Sequence, residues 1–172
     1  MGQELVDPRR VEPAFVAGER AMLEAWLEFH RTTLLLKCEG LSAEQLRATL
    51  IPTSSLSLHG LVRHMADVER GWFTRVLLRA PDTPSLFSDP AVEDSDLGPL
   101  DGADWAADLA SWQAECERSR HHSHQLELED TGLRGGQECS LRWIYVHMIE
   151  EYARHNGHAD LLRELTDGTV GW

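Results

Sequence analysis

Four long stretches with apolar residues at helical spacing, separated by glycine and proline breakers, constrain this chain more than any other feature. The first runs from about Glu19 to Cys38, where Met22, Leu23, Trp26, Leu27, Phe29, Leu34 and Leu35 make a broad stripe that Gly40 stops. A short helical turn is expected next, because Ser42 and Gln45 have capping-box spacing before Leu46. The second stretch spans about Ser57 to Arg79, with Leu58, Leu61, Val62, Met65, Val68, Trp72, Phe73 and Val76 in register, and Pro81 ends it. The third covers about Gly102 to Leu126, with Trp105, Leu109, Trp112 and Cys116 on one face. The fourth begins at the N-cap candidate Ser140 and continues to about Thr166, with Gly168 as its stop.

The connections are as informative as the stretches. Residues 81–100 hold Pro81, Pro84, Pro90 and Pro99 among several acids and read as a long loop, and residues 127–139 are polar and glycine-containing. No segment shows convincing strand alternation. Helices of this length in a chain of 172 residues must bury their stripes against one another, so the expected fold class is all-α and the architecture a four-helix bundle. The long loop can cross the end of such a bundle and lets the second and third helices run parallel. One domain over residues 1–172 is expected, with 1–18 as a poorly regular arm.

Charge and cysteine content narrow the function. The chain carries 16 basic and 29 acidic residues, a formal charge of −13, which argues against a nucleic-acid partner because phosphate binding needs clustered Lys and Arg. No apolar run approaches a membrane span, and the first residues lack the apolar core of a secretory signal. Cys38, Cys116 and Cys139 are odd in number and form no CxxC pair. They read as reduced thiols of a cytoplasmic protein, better explained as small buried side chains than as nucleophiles.

Ionisable groups concentrate in the last stretch, HMIEEYARHNGHADLLRE. At about 100° per residue, counted from His147, Glu151 falls near 40°, His158 near 20° and His155 near 80°. All four overlap the apolar arc that contains Ile144, Met148, Ala159 and Leu162, whereas Glu150 and Arg163 lie on the other side. Buried charge must be paired or bound to metal. A Glu and a His four residues apart on a helix can share one small cation, and Glu151 with His155 has that spacing. His64, on the apolar face of the second stretch beside Leu61 and Val68, fits as a facing ligand. Two imidazoles and one carboxylate make an open site for zinc or another first-row divalent ion. The competing account is a set of core histidines satisfied by Glu151, Arg63 or backbone carbonyls. His30, His59, His121, His122 and His124 show that histidines are plentiful here without any such role.

The segments GERAMLEAWLEFHRTTLL, SLHGLVRHMADVERGWF and SLRWIYVHMIEEYARHNGHADLLRELTDG together resemble the DinB-like superfamily, in particular its mini-circle-type branch, and are similar to mycothiol-dependent maleylpyruvate isomerases. That resemblance covers most of the chain. It implies an up-down-down-up four-helix bundle and a divalent metal, zinc or nickel, held by three side chains. The matching positions are His64 in the second helix and, four residues apart in the last, Glu151 and His155. Many relatives place His at both of the last-helix positions; this chain has Glu first, like the isomerases. His147 and His158 belong to the same motif and are expected as supporting residues, His158 as a proton carrier. Arg63 and Arg154 are expected mainly in ion pairs.

The function implied by the resemblance is a metal-dependent transferase or isomerase that uses a low-molecular-weight thiol, mycothiol or bacillithiol, against a small electrophile. Its partners are then small molecules, with no nucleic acid and no membrane. A homodimer is also conceivable through bundle faces bearing Trp72, Trp143 and Trp172. The alternatives are a hydrolase using metal-bound hydroxide, a non-catalytic metal- or small-molecule-binding stress or resistance protein, and a bundle without metal whose ionisable stripe is a hydrogen-bonded core network.

Overall fold

Where the α-helices after the first begin follows from a side chain able to satisfy their free N–H groups, whereas the first starts at Gly18 without a side-chain cap. Ser57 Oγ accepts from Gly60 N, Asp104 from Ala106 N and Ala107 N, and Ser140 Oγ from Trp143 N. Ser42 and Gln45 form the reciprocal capping box expected of them. In the computed structural model, which describes residues 7–89, 91–92, 95–98 and 100–170, the resulting elements are α1 (Glu19–Cys38), α2 (Ala43–Arg47), α3 (Leu58–Glu69), α4 (Trp105–His124) and α5 (Leu141–Asp167). Gly168, at φ 78°, closes α5 by donating to Glu164 O.

The chain is mostly helical. Its apolar stripes meet in one core that includes Leu27, Leu34, Leu61, Met65, Phe73, Ile144, Met148, Tyr152 and Leu162. α1 packs mainly along α5 and α3 along α4, with α3 also reaching α5 and α1. Polar pairs record how the helices lie. Arg142 at the start of α5 binds Glu19 at the start of α1, and Arg163 near the end of α5 donates to the carbonyls of Lys37 and Glu39 at the end of α1. His59 in the first turn of α3 binds Asp108 early in α4 at 2.8 Å.

Three features depart from the sequence expectations. Residues 131–140, where no strand was expected, form an antiparallel hairpin of β1 (Thr131–Arg134) and β2 (Gln137–Ser140), with Arg134 paired to Gln137. Its two-residue loop, Gly135-Gly136, has φ of 55° and 85°, and tight hairpin loops need that positive φ. A Cβ on Gly132 would stand 2.4 Å from Val76 O, so only glycine lets this hairpin lie so close to the end of the second helical stretch. That stretch is itself not a uniform α-helix: Arg70–Val76 form a π-helical turn, with Leu77 N bonded to Trp72 O at 2.9 Å. α4 is shorter than expected at both ends, because Asp104 caps it and it stops at His124.

Of the tryptophans, periodicity misplaces Trp26, which it put on the apolar stripe. Trp26 is 38 % exposed, packing on its own helix against Phe29 and His30, and Trp143 is 46 % exposed, whereas Trp72 is buried. Trp172, Pro90, Pro99 and the first part of the N-terminal arm lie outside the described residues.

The long loop after the π-turn is fastened onto α3 at two points. Asp67 accepts from the backbone N–H groups of Leu86, Phe87 and Ser88 at 2.7, 2.9 and 2.8 Å. Further on, Leu97 O lies where a Cβ on Gly60 would be, at 2.4 Å. This close approach brings Asp96 down onto the next turn of α3, which carries His64.

Candidate metal centre

His64 is presented by α3, and Glu151 and His155 by successive turns of α5. One ligand-type atom from each of the three lies within 4.8 Å of the others. The side chains are partly buried, at 24, 18 and 12 % exposure respectively, so the cluster is sheltered yet open on one side. The rings of His64 and His155 meet edge to face at 4.7 Å.

The protonation states suit cation binding. Burial, reinforced by His64 and His158 alongside, pushes the His155 imidazole down to about 4. It is therefore neutral near pH 7 and keeps a lone pair free. Its Nδ1 is buried with no hydrogen-bond partner. Its Nε2 stands 3.5 Å from Glu151 Oε2, while Glu151 Oε1 is 3.3 Å from His147 Nε2. These are loose contacts for a partly buried carboxylate, and neither imidazole satisfies it well. A divalent cation would meet the needs of all three groups together.

Asp96, which the sequence reading missed, completes the His64 side. Its Oδ2 lies 2.7 Å from His64 Nδ1. Burial raises the Asp96 carboxyl, but the hydrogen bond and charge interaction with His64 outweigh it and the net shift is downward. An ionised Asp96 favours the proton on Nδ1, so that the neutral ring presents its lone pair at Nε2. Carboxylate–imidazole pairs do this around bound metals. Nothing distinguished Asp96 from the other acids of its loop in the sequence; the one available signal was Gly60, whose missing side chain admits the loop.

The supporting residues divide. His158 lies beside His155, with ring centres 5.5 Å apart, but is not among the three grouped ligands, and its Nδ1 is also buried without a partner. His147 is held between two indoles, 4.4 Å from Trp72 and stacked at 5.0 Å on Trp143. It also forms a second group of potential ligands with Glu150 and Glu151. Trp72 reaches His147 from the π-turn, a placement that regular helical periodicity did not foresee.

Other ionisable side chains singled out in the sequence have no ligand-like arrangement. His59 is a core histidine, bound through Nε2 to Asp108 and packed on Trp105, with its Nδ1 buried and unpartnered. Arg154 pairs with Glu150, and Arg63 lies over the Phe87 ring at 4.6 Å, 3.9 Å from Asp108. Cys38 is buried, its thiol pushed up to about 12, and burial drives the Cys116 thiol higher still. Neither has a nucleophile's environment. No described helix is long and apolar enough to cross a membrane.

The Mycothiol-S-transferase family model matches residues 22–168, a span that contains all of α1 but its first three residues, the other four α-helices, the hairpin and the cluster of His64, Glu151 and His155. None of the curated proteins matches the chain. A match over so much of the sequence settles its kinship: the chain belongs to the mycothiol-S-transferase family, a DinB-like family.

Proposed function

We propose that this protein is a metal-dependent enzyme that joins a low-molecular-weight thiol, mycothiol or a related thiol such as bacillithiol, to a small electrophile. The observation that carries the reading is the convergence of His64, Glu151 and His155 within 4.8 Å in a chain of the mycothiol-S-transferase family. The pairwise helix contacts support an up-down-down-up four-helix bundle, with residues 77–104 as the crossover between the second and third long helices. In that arrangement the ligands face one another from α3 and α5.

Two imidazoles and one carboxylate suit zinc or nickel. When bound, such a cation lowers the pKa of a thiol that reaches it and so supplies a nucleophile near neutral pH. The chain's own residues do the rest. Asp96 holds the His64 ring in one tautomer. Glu151 contributes charge that offsets a cation. His158, whose Nδ1 is uncommitted, takes up a proton near the reacting sulfur. Trp72 and Trp143 keep His147 in place against Glu151. A cytoplasmic location accompanies this reading, since a thiol co-substrate must stay reduced and the chain's three cysteines are free.

The test is a thiol–electrophile assay on protein purified without an affinity tag, stripped with chelator and reloaded with zinc or nickel. Turnover with mycothiol should vanish on stripping and return on reloading. Turnover that survives complete stripping, or hydrolysis of an ester without any thiol, would overturn the proposal.

A further inference from the structure

Next to His64 is an open cavity of about 630 Å³ bordered by α3, the π-turn, the crossover loop and the hairpin. Its lining joins His64 and Asp96 to Trp72, Arg75 and Arg134, none of which the candidate metal centre uses as a ligand. The two carboxylates there are committed: Asp67 to three backbone N–H groups of the loop, Asp96 to His64.

The arginines are not fully committed. Arg75 donates to Ser85 Oγ at 3.0 Å and stands 3.8 Å from Asp67, but its Nε is buried with no hydrogen-bond partner. Arg134 lies over the Trp72 ring at 4.5 Å, and no carboxylate pairs with it among the described residues. Glu138, the acid on the facing strand, is taken by Arg79 at 3.0 Å. Arg134 is exposed on the hairpin and, like Arg10 and Arg47, has no carboxylate partner among the described residues, but of these three it alone lines this cavity. The indole face positions the cation without neutralising it, and two guanidinium groups on one cavity are suited to a planar carboxylate.

We infer that this cavity is the electrophile subsite and that the electrophile carries a carboxylate, seated by Arg134 and Arg75. This deepens the thiol-transfer reading and rests on it for the reaction, though not for binding. In the reaction a carbon–sulfur bond forms at the electrophilic carbon as its bond to the leaving group breaks. The leaving group departs with the bonding pair and the thiol proton passes to a base or to water.

A chlorodinitrobenzoate and its neutral carboxamide, alike in shape and reactive through displacement of chloride, test this in two arms. Calorimetric titration of metal-free protein should show the acid binding about tenfold or more tightly than the amide, a typical value for a charged hydrogen-bonded contact. Arg134→Ala should bring that ratio to about one, and Arg134→Lys should restore part of it. With mycothiol and metal-loaded protein, the same preference should appear mainly in KM. Equal binding of acid and amide to the unmodified protein, or a ratio untouched by Arg134→Ala, overturns the inference. If the acid preference depends on Arg134 but mycothiol supports no turnover of either compound, the subsite stands and the thiol-transfer reading falls.

Discussion

Glu151 and Tyr152 are neighbours on α5, yet they enter opposite kinds of polar environment. Tyr152 belongs to a fully buried network in which every group is satisfied. Arg31 grips Glu69 through Nε and Nη2 at 2.7 and 2.6 Å, Tyr152 donates to Glu69 Oε1 at 2.7 Å, and Trp112 Nε1 donates to Tyr152 Oη at 2.9 Å. Cys116 Sγ sits 3.7 Å from both acceptors. Burial, reinforced by the Cys116 and Glu69 side chains beside it, drives the Tyr152 phenol well above its usual range, so it stays a donor. Glu151, by contrast, is partly open, loosely contacted by two imidazoles, and next to histidine nitrogens that have no partner.

The difference separates structure from function. A buried network with complete hydrogen bonding has no valence left for a ligand; its work is to fix how α1, α3, α4 and α5 meet. A sheltered cluster with unmet polar groups is poised to bind something, and its stability without that ligand owes little to its own contacts.

Breaking the two regions should therefore give opposite results. Glu69→Ala strands the buried Arg31 guanidinium and should cost about 3–5 kcal/mol, read by urea denaturation. A loss under about 1 kcal/mol would show that the network is not the structural one. Asp96→Ala frees the His64 ring and should weaken zinc affinity about 10–100-fold in a chelator competition, with the fold intact. Unchanged affinity would remove Asp96 from the site. Gly132→Ala pushes a Cβ into the Val76 carbonyl and should cost about 1–3 kcal/mol, because backbone cannot move aside as a side chain can; a neutral result would mean that the hairpin does not pack so closely. Smallest of all, Glu151→Ala in metal-free protein should change stability by less than about 1 kcal/mol, and a loss as large as that of Glu69→Ala would erase the contrast.

Acidity supplies a further check. Burial lowers the pKa of His30 and, more than its Asp108 partner raises it, that of His59. Above the unfolded value of 6.5, both states hold neutral imidazoles and pH has no effect through them. As pH falls through that value the unfolded chain takes up protons that the folded chain refuses, so stability declines. A stability that rises on acidification from pH 7 to 5 would contradict this assignment.

Much of the helical frame was legible because its signals are local: the caps at Ser42 and Ser140, the stop at Gly168 and the stripes between them. His64, Glu151 and His155 could be read together because helical spacing offered a stripe of four ionisable groups and the family resemblance selected Glu151 and His155 from it and paired them with His64. The hairpin was passed over although Gly135-Gly136 between short polar runs is a turn signal; TGLR and QECS lack the alternation that usually marks strands. Asp96 was out of reach, since a loop acid gains its partner only when the loop folds back over Gly60. The π-turn was equally hidden: one extra residue in a helical turn leaves the apolar pattern almost unchanged while re-aiming Trp72 at His147.

The central claim is that the loosely satisfied cluster is a metal site, and its most direct test is the metal content of protein produced with zinc and nickel available and purified without a tag. The account predicts about one equivalent of divalent metal per chain, since three protein ligands define one open site, and its loss in both His64→Ala and Glu151→Ala variants that remain folded. Folded wild-type protein without bound metal, or metal retained by both variants, would contradict it.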